Sequence, residues 1–261
     1  MMKKKSLNVL NRFRHKFRGI IDVHVHLDIS PDFDKRVIKF ARILGIERMC
    51  TFTYRALRSK DPKEIWKANE YIYKMQEKYH EVLGFVFVNP LVVDTEKMIN
   101  EFIGERGMKG IKIYRIRARS YLMNKVAELA IQYDVPILIH TAHRLYPRDR
   151  PYESTPLDIR FLARRYPKLR IIMAHLGGGG DWEYALETVK DVDNVYVDIG
   201  GSVVDNGLIE KAVEYLGKNR PVFGSDNAFT TALGKVEGAE IDESVRRRIY
   251  IDNPKKVIGI D

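Results

Sequence analysis

The stretch IIDVHVHL, residues 20–27, combines five aliphatic side chains with two histidines that are separated by one residue. Such a run predicts a β-strand, because its apolar residues are mostly β-branched. Side chains alternate along a strand, so His24 and His26 are expected to point to the same face. A buried imidazole must satisfy both ring nitrogens, and two of them on one face indicate a shared polar partner.

Seven more apolar runs follow, and segments of helical period separate them. The predicted strands are residues 20–27, 48–54, 82–88, 109–115, 136–142, 169–176, 194–200 and 221–226. Several are apolar on both faces, as parallel strands covered by helices are. Eight strand–helix units in one chain of this size predict a single-domain (β/α)₈ TIM barrel over residues 19–261. A doubly wound open sheet is the alternative, but it usually has a Gly-rich turn after its first strand, and His26, Leu27 and Asp28 stand there instead.

The formal net charge of +10 is concentrated at one end of the sequence. Residues 1–18 hold seven cations and no carboxylate, so the remaining body is only mildly basic. We interpret residues 1–18 as a basic N-terminal arm or short helix that packs on the body or docks on an anionic partner. Nucleic acid is not expected as a partner of the body, and the formation of a homo-oligomer is left open by the sequence.

The single cysteine, Cys50, excludes a disulfide framework and a cysteine-based metal cluster. This composition indicates a reducing, cytoplasmic setting. No apolar run approaches the roughly 20 residues of a membrane span, so no membrane association is expected.

Five metal-capable side chains fall at the ends of predicted strands 1, 5, 6 and 8: His24, His26, His140, His175 and Asp226. The carboxyl ends of barrel strands form the face that carries chemistry. Closing the barrel makes strand 8 the neighbour of strand 1, which places Asp226 beside the histidine pair. Imidazoles and a carboxylate without a thiolate suit zinc, with manganese, iron or cobalt as alternatives. His15 and His80 are predicted to be surface residues.

Several motifs carry a resemblance to a known family: DVHVH (22–26), PILIHTA (136–142), IIMAHLGG (171–178), VYVDIGG (195–201) and FGSDNA (223–228). In this order they resemble the amidohydrolase superfamily, in its amidohydrolase-related branch (family 2), which contains small-acid decarboxylases, hydratases and lactonases. The resemblance implies that a catalytic divalent metal is held by four residues: His24, His26, His140 and Asp226. It also implies that Asp226 deprotonates a water molecule bound to that metal, and that His175 faces the substrate or a second metal.

Strand 4 departs from the pattern of the two-metal members, because it offers Lys112 and no carboxylate. Lys112 is interpreted as a group that faces the substrate or, if carbamylated, bridges a second metal. The absence of a strand-4 glutamate and of an ETD motif on strand 8 argues against nuclease activity.

The loops after strands 4 and 5 are rich in arginine, whose planar fork matches carboxylate and phosphate groups. The substrate-binding candidates are Arg115, Arg117, Arg144, Arg148 and His143. The leading hypothesis is a metal-dependent hydrolase that uses a metal-activated water on a small anionic substrate, either a carboxylate or a phosphate ester. A non-oxidative decarboxylase and a lactonase are the alternatives within the superfamily. A non-enzymatic module that binds through the basic arm is the remaining reading.

Overall fold

A computed structural model describes residues 18–142, 152–177 and 181–261. Eight parallel strands form one sheet in sequence order. They are β1 (Ile20–Leu27), β2 (Ile46–Thr53), β3 (Val82–Phe87), β4 (Gly110–Ile113), β5 (Ile137–Ile139), β6 (Ile171–Met173), β7 (Val195–Asp198) and β8 (Pro221–Val222). Two backbone hydrogen bonds bring the last strand against the first, from Val23 N to Phe223 O (2.9 Å) and from Asp226 N to His24 O (2.8 Å). The predicted TIM barrel is confirmed.

Helices alternate with the strands. They are α1 (Pro31–Ile43), α2 (Pro62–Lys78), α3 (Thr95–Ile99), α4 (Met123–Gln132), α5 (Pro156–Arg165), α6 (Trp182–Val189), α7 (Leu208–Leu216), α8 (Phe229–Glu237), α9 (Glu243–Arg247) and α10 (Asn253–Ile258). Two short 3₁₀ segments, Arg55–Arg58 and Ala174–Gly177, follow β2 and β6. A π-helical turn extends α3 through Asn100–Glu105, and another, Arg248–Asp252, joins α9 to α10.

Local sequence signals explain where three of the helices begin. Ser30, Asp61 and Thr155 cap α1, α2 and α5, and each accepts a hydrogen bond from a backbone amide of the first turn. A proline follows each of the three caps, where its fixed φ suits a helix and its missing N–H costs nothing. These caps fix the direction in which the chain leaves the barrel after β1, β2 and β5.

The strands are buried by the helices on one side and by the barrel interior on the other. All six residues of β3 and all four of β4 are buried. Gly110 in β4 leaves room for the Phe85 ring, because a Cβ at this position would lie only 2.5 Å from ring carbons. The interior is therefore a packed core, and a site can form only above it.

Some expectations concern residues outside the described ranges. These are the basic arm up to residue 17, His15, and the candidates His143, Arg144 and Arg148. Among the described residues, His80 is exposed, as predicted. No helix within these ranges has the length and apolar character that a membrane crossing requires.

Candidate metal centre

The two histidines of β1 meet Asp226 at the carboxyl end of the barrel. The His24 and His26 rings lie with their centroids 5.4 Å apart. His26 Nε2 is 2.9 Å from Asp226 Oδ1, and His24 Nε2 is 3.6 Å from the same oxygen. The alternation of side chains along β1 and the closure of the barrel thus produce the predicted contact.

His140 and His175 approach from β5 and β6. His175 Nε2 lies 3.3 Å from His140 Nδ1, and His175 Nδ1 lies 3.9 Å from Asp226 Oδ2. The His24 and His175 rings are in contact, with centroids 4.7 Å apart. On its other side, His140 Nε2 is 3.4 Å from the buried carboxylate of Glu153. His175 thus joins the β1 pair and Asp226 directly, whereas His140 reaches this cluster through its contact with His175.

The backbone at this focus adopts left-handed conformations that non-glycine residues rarely adopt. Asp226 and Asn227 have φ values of 52° and 64°, and His175 and Leu176 have values of 61° and 52°. Such residues cost roughly 1–3 kcal/mol each and persist where the surroundings fix them. Asn227 supplies part of that constraint, because its side chain accepts from His26 N (2.6 Å) and donates to His26 O (2.9 Å).

Burial keeps the four imidazoles neutral. Desolvation lowers the pKa of His24, His26 and His140, and it lowers the pKa of His175 to about 4. Burial alone would raise the pKa of Asp226. However, the hydrogen bond to His26 holds that pKa well below its usual range. Neutral imidazoles beside an ionised carboxylate are the forms that bind divalent metals.

Lys112 of β4 lies inside the same cluster. Its Nζ is 3.5 Å from His24 Nε2 and 4.5 Å from the centroid of the Phe52 ring. The side chain is almost fully buried, and desolvation lowers its pKa to about 8. An ammonium so close to the imidazoles and Asp226 can face a substrate anion.

The donor atoms present fit a divalent ion. Ligand atoms of His24, His26 and Asp226 lie within 4.8 Å of one another. Within the described part of the chain, His175 Nδ1 is buried without a hydrogen-bond partner, which is costly unless something else binds it. A cation at this focus would use the lone pairs of His24, His26 and Asp226, and His175 Nδ1 would face a substrate or a second ion.

Two buried carboxylates at the site were not among the predicted residues. Asp198 ends β7, and its Oδ2 lies 2.8 Å from His24 Nδ1. Asp22 Oδ1 accepts from the backbone amides of His24 and Ser225, each at 3.0 Å. The rule that selected Asp226, an acidic residue at the end of a predicted strand, also applies to Asp198 in VYVDIGG.

A cavity of about 690 Å³ opens above this cluster. Its walls include Phe33, Tyr54, Arg55, Arg58 and Tyr114, and its floor includes His26, Lys112, His140, His175 and Asp226. Neither Arg115 nor Arg117 lines it, although both were substrate-binding candidates. Both follow β4, where Tyr114 lines the cavity. The two arginines that line it in the described structure, Arg55 and Arg58, belong to the 3₁₀ segment after β2.

Comparison with known proteins gives a consistent picture. The family model described as Amidohydrolase matches residues 21–260. No curated protein matches the chain. Among solved structures, 2,6-dihydroxybenzoate decarboxylase from Rhizobium is 16% identical, with a TM-score of 0.74 and coverage of 93% of this chain and 99% of that one.

Two further structures show the same likeness. Dihydroxybenzoic acid decarboxylase from Polaromonas, which contains manganese and the inhibitor 2-nitroresorcinol, is 16% identical (TM-score 0.72, covering 93% of this chain and 97% of that one). 4-Oxalomesaconate hydratase from Rhodopseudomonas palustris is 15% identical (TM-score 0.63, covering 92% and 95%). At these identities the likeness concerns the fold.

Proposed function

Since the chain belongs to the amidohydrolase family, we propose that it is a metal-dependent enzyme that hydrolyses a small anionic substrate at the carboxyl end of its barrel. The observation that carries this proposal is the meeting of Asp226 with neutral imidazoles from β1 and β6, beside which His140 of β5 lies in contact with His175. Such a set has no structural purpose in a binding module, because burying it costs free energy unless it is used.

We propose that His24, His26, His140 and Asp226 hold the ion, with zinc as the first candidate and manganese, iron or cobalt as alternatives. When bound, a divalent ion lowers the pKa of water from about 15.7 to near 7 and polarises an oxygen of the substrate. His175 and Lys112 stand beside this set as groups that face the substrate, and either would assist a second ion if one were bound.

Asp226 is the base in this proposal. Its side chain is 32% exposed, unlike that of His24, so water reaches it. Because its pKa is held low, it is ionised at neutral pH and can accept a proton from water at Oδ2. His175 lies 3.9 Å from that oxygen and is positioned to donate a hydrogen bond to the substrate oxygen on which charge develops.

Two arginines of the cavity wall are proposed to recognise the anion. Arg55 donates to the carbonyl of Ile29 (2.7 Å), and this bond uses only one of the donors of its guanidinium. Arg58 makes no hydrogen bond or ion pair with any residue in the described ranges. A carboxylate or phosphate in the cavity would pair with these groups while its reactive end faces Asp226.

Non-oxidative decarboxylation of an aromatic acid is the second candidate. The rings of Phe33, Tyr54 and Tyr114 line the cavity beside the arginines, and this combination suits a ring that carries a carboxylate. The decarboxylases of Rhizobium and Polaromonas share the fold. In this reaction Asp226 would accept the proton of a ring hydroxyl and deliver it to the ring carbon that loses carbon dioxide, and the phenolate so formed would regain a proton from water.

One experiment separates the two reactions. The purified protein is stripped with a chelator, reloaded with zinc or manganese, and offered esters, lactones, phosphate esters and hydroxybenzoic acids. Hydrolysis incorporates ¹⁸O from labelled water into the product, whereas decarboxylation releases carbon dioxide without consuming water. Asp226→Asn should lose either activity and His80→Gln should keep it. Full activity after exhaustive chelation would contradict the proposal.

A further inference from the structure

Asp198 connects two of the histidines, and the reaction proposed above gives it no role. The residue ends β7 and is fully buried. Its Oδ2 lies 2.8 Å from His24 Nδ1, while its Oδ1 accepts from the backbone amides of His175 (3.0 Å) and Gly200 (2.9 Å). One carboxylate thus contacts the ring of a β1 histidine and the backbone of the β6 histidine.

These neighbours determine which nitrogen of His24 carries the proton. An ionised carboxylate only accepts hydrogen bonds, so His24 Nδ1 must carry the hydrogen that it shares with Asp198. On the other side of the ring, the Lys112 ammonium only donates, and its Nζ lies 3.5 Å from Nε2. Both contacts select the same tautomer, in which the lone pair is on Nε2, the nitrogen 3.6 Å from Asp226.

Two glycines leave room for the side chain of Asp198. A Cβ at Gly224 would lie 2.9 Å from Cβ of Asp198 and 3.2 Å from Cβ of His24. A Cβ at Gly200 would lie 3.0 Å from Asp198 Oδ1. Any side chain at these positions would displace the carboxylate, so the close approach of β8 and the β7 loop depends on glycine.

The same carboxylate supports a strained turn. His175 and Leu176 both have left-handed φ values, and Leu in particular rarely adopts them. The hydrogen bond from His175 N to Asp198 fixes the start of this turn. This conformation directs the His175 ring toward His140 and Asp226.

We propose that Asp198 is a positioning residue, which fixes the tautomer of His24 and the turn of His175 so that both rings face one point. It is not itself a ligand in this proposal, because both of its oxygens already accept hydrogen bonds. The inference rests on the proposed function only insofar as that point holds a metal. A rival reading exists, because donor atoms of His24, His175 and Asp198 also lie within 4.8 Å of one another and could hold a second ion.

Asp198→Asn tests the proposal, because an amide has one acceptor oxygen where the carboxylate has two. The backbone amides of His175 and Gly200 would retain that oxygen, so the NH₂ group would face His24 Nδ1 and force the proton onto Nε2. Asp22→Asn is the matched control. Asp22 Oδ1 also accepts two backbone amides, and its side chain interacts with the Ser225 hydroxyl, which can donate to a carboxylate or accept from an amide.

The first readout is ¹⁵N NMR of histidine-labelled, metal-free protein, with the His24 signals assigned from His24→Gln. We expect the Nδ1–H tautomer in the wild type and in Asp22→Asn, and the Nε2–H tautomer in Asp198→Asn. The second readout is the affinity for Zn²⁺ by chelator competition. It should fall about 10- to 100-fold in Asp198→Asn and stay close to wild type in Asp22→Asn.

Three results would overturn the proposal. They are an unchanged tautomer in Asp198→Asn, an equal loss of Zn²⁺ affinity in both variants, and a fall in stoichiometry from two ions to one that marks Asp198 as a ligand. If the wild-type protein bound no Zn²⁺ or Mn²⁺, the proposed function would fail. The tautomer measurement in the metal-free protein would still decide the role of Asp198.

Discussion

Burial and hydrogen bonding set the protonation states of the individual side chains at the centre. Desolvation lowers the pKa of every imidazole in the cluster, and of the Lys112 ammonium as well. Asp226 remains ionised because its hydrogen bond to His26 offsets the cost of its burial. The cluster thus places neutral nitrogens beside an anionic oxygen at neutral pH, the combination that a divalent ion would bind.

Replacement of a single imidazole should therefore remove the ion without unfolding the chain. We expect His26→Gln to lose most of its bound metal, because it removes the nitrogen nearest to Asp226 (2.9 Å). Metal content after dialysis, measured by mass spectrometry, checks this expectation. His80→Gln is the control, since His80 is exposed and precedes β3, away from the carboxyl ends of the strands. A His26→Gln protein with the metal content of the wild type would argue against the proposed ligand set.

Arg58 offers a test of how the substrate binds. We expect Arg58→Ala to raise KM for an anionic substrate roughly 10- to 100-fold, the effect of losing one charged hydrogen bond, with a smaller change in kcat. Arg36→Ala, an exposed arginine of α1 that does not line the cavity, serves as the control. Steady-state kinetics of both variants give the answer. Equal KM values for the two variants would remove Arg58 from substrate recognition.

The strands and helices follow closely from local sequence patterns, but their ends do not. β1 matches its predicted bounds, whereas β6 was predicted over 169–176 and covers only Ile171–Met173. Apolar character indicates burial, and the buried chain beyond Met173 turns into a 3₁₀ segment instead of continuing the ladder. β8 is shortened for a related reason, because the chain bends into the left-handed pair Asp226 and Asn227.

The same limit explains which site residues the sequence could identify. Residues in strands, such as His24 and His26, are fixed by alternation and by barrel closure, so their convergence was predictable. Arginines in loops are not, because no local pattern determines loop conformation. Arg115 and Arg117 were therefore candidates that do not line the cavity, whereas Arg55 and Arg58, which were not candidates, do.

Close packing between neighbouring strands should make Gly110 of β4 intolerant of a side chain. A methyl group there would lie 2.5 Å from the Phe85 ring, so we expect Gly110→Ala to destabilise the fold by about 1–3 kcal/mol. Gly234 in α8 is the opposite case. It is exposed, a Cβ there would have no neighbour within 4 Å, and Gly234→Ala should stabilise by up to about 1 kcal/mol.

Denaturant unfolding of both variants in excess chelator measures these differences without a contribution from bound metal. Working without metal matters, because an ion that binds only the folded state would add its own stabilisation. If Gly110→Ala were as stable as the wild type, the Phe85 ring would have to move aside without cost, and the packing argument for β3 and β4 would be wrong.

The barrel as a whole concentrates its titratable groups at one end, which should make the stability of the metal-free protein depend on pH. Histidines in an unfolded chain have a pKa near 6.5, but the four buried ones have lower values, about 4 for His175. Between these values the unfolded chain binds more protons, so stability is lost as the pH falls from 6.5 toward 4. Asp22 acts in the opposite direction, because burial raises its pKa to about 7 and its contribution is lost as the pH rises toward that value.

Burial also raises the pKa of Asp198 and Asp28, so three carboxyls oppose the four imidazoles. Because the imidazoles outnumber them, we expect the Tm of the metal-free protein to fall as the pH is lowered from 7 to 4.5. Thermal unfolding in chelator at half-unit intervals measures this slope. The double variant His140→Gln and His175→Gln should show a shallower slope, because two of the groups that take up protons on unfolding are gone, while His80→Gln should follow the wild type. A Tm that stays constant or rises on acidification would mean that the imidazoles are charged in the folded protein. The ring nitrogens would then have no lone pairs with which to bind a cation at the carboxyl end of the barrel.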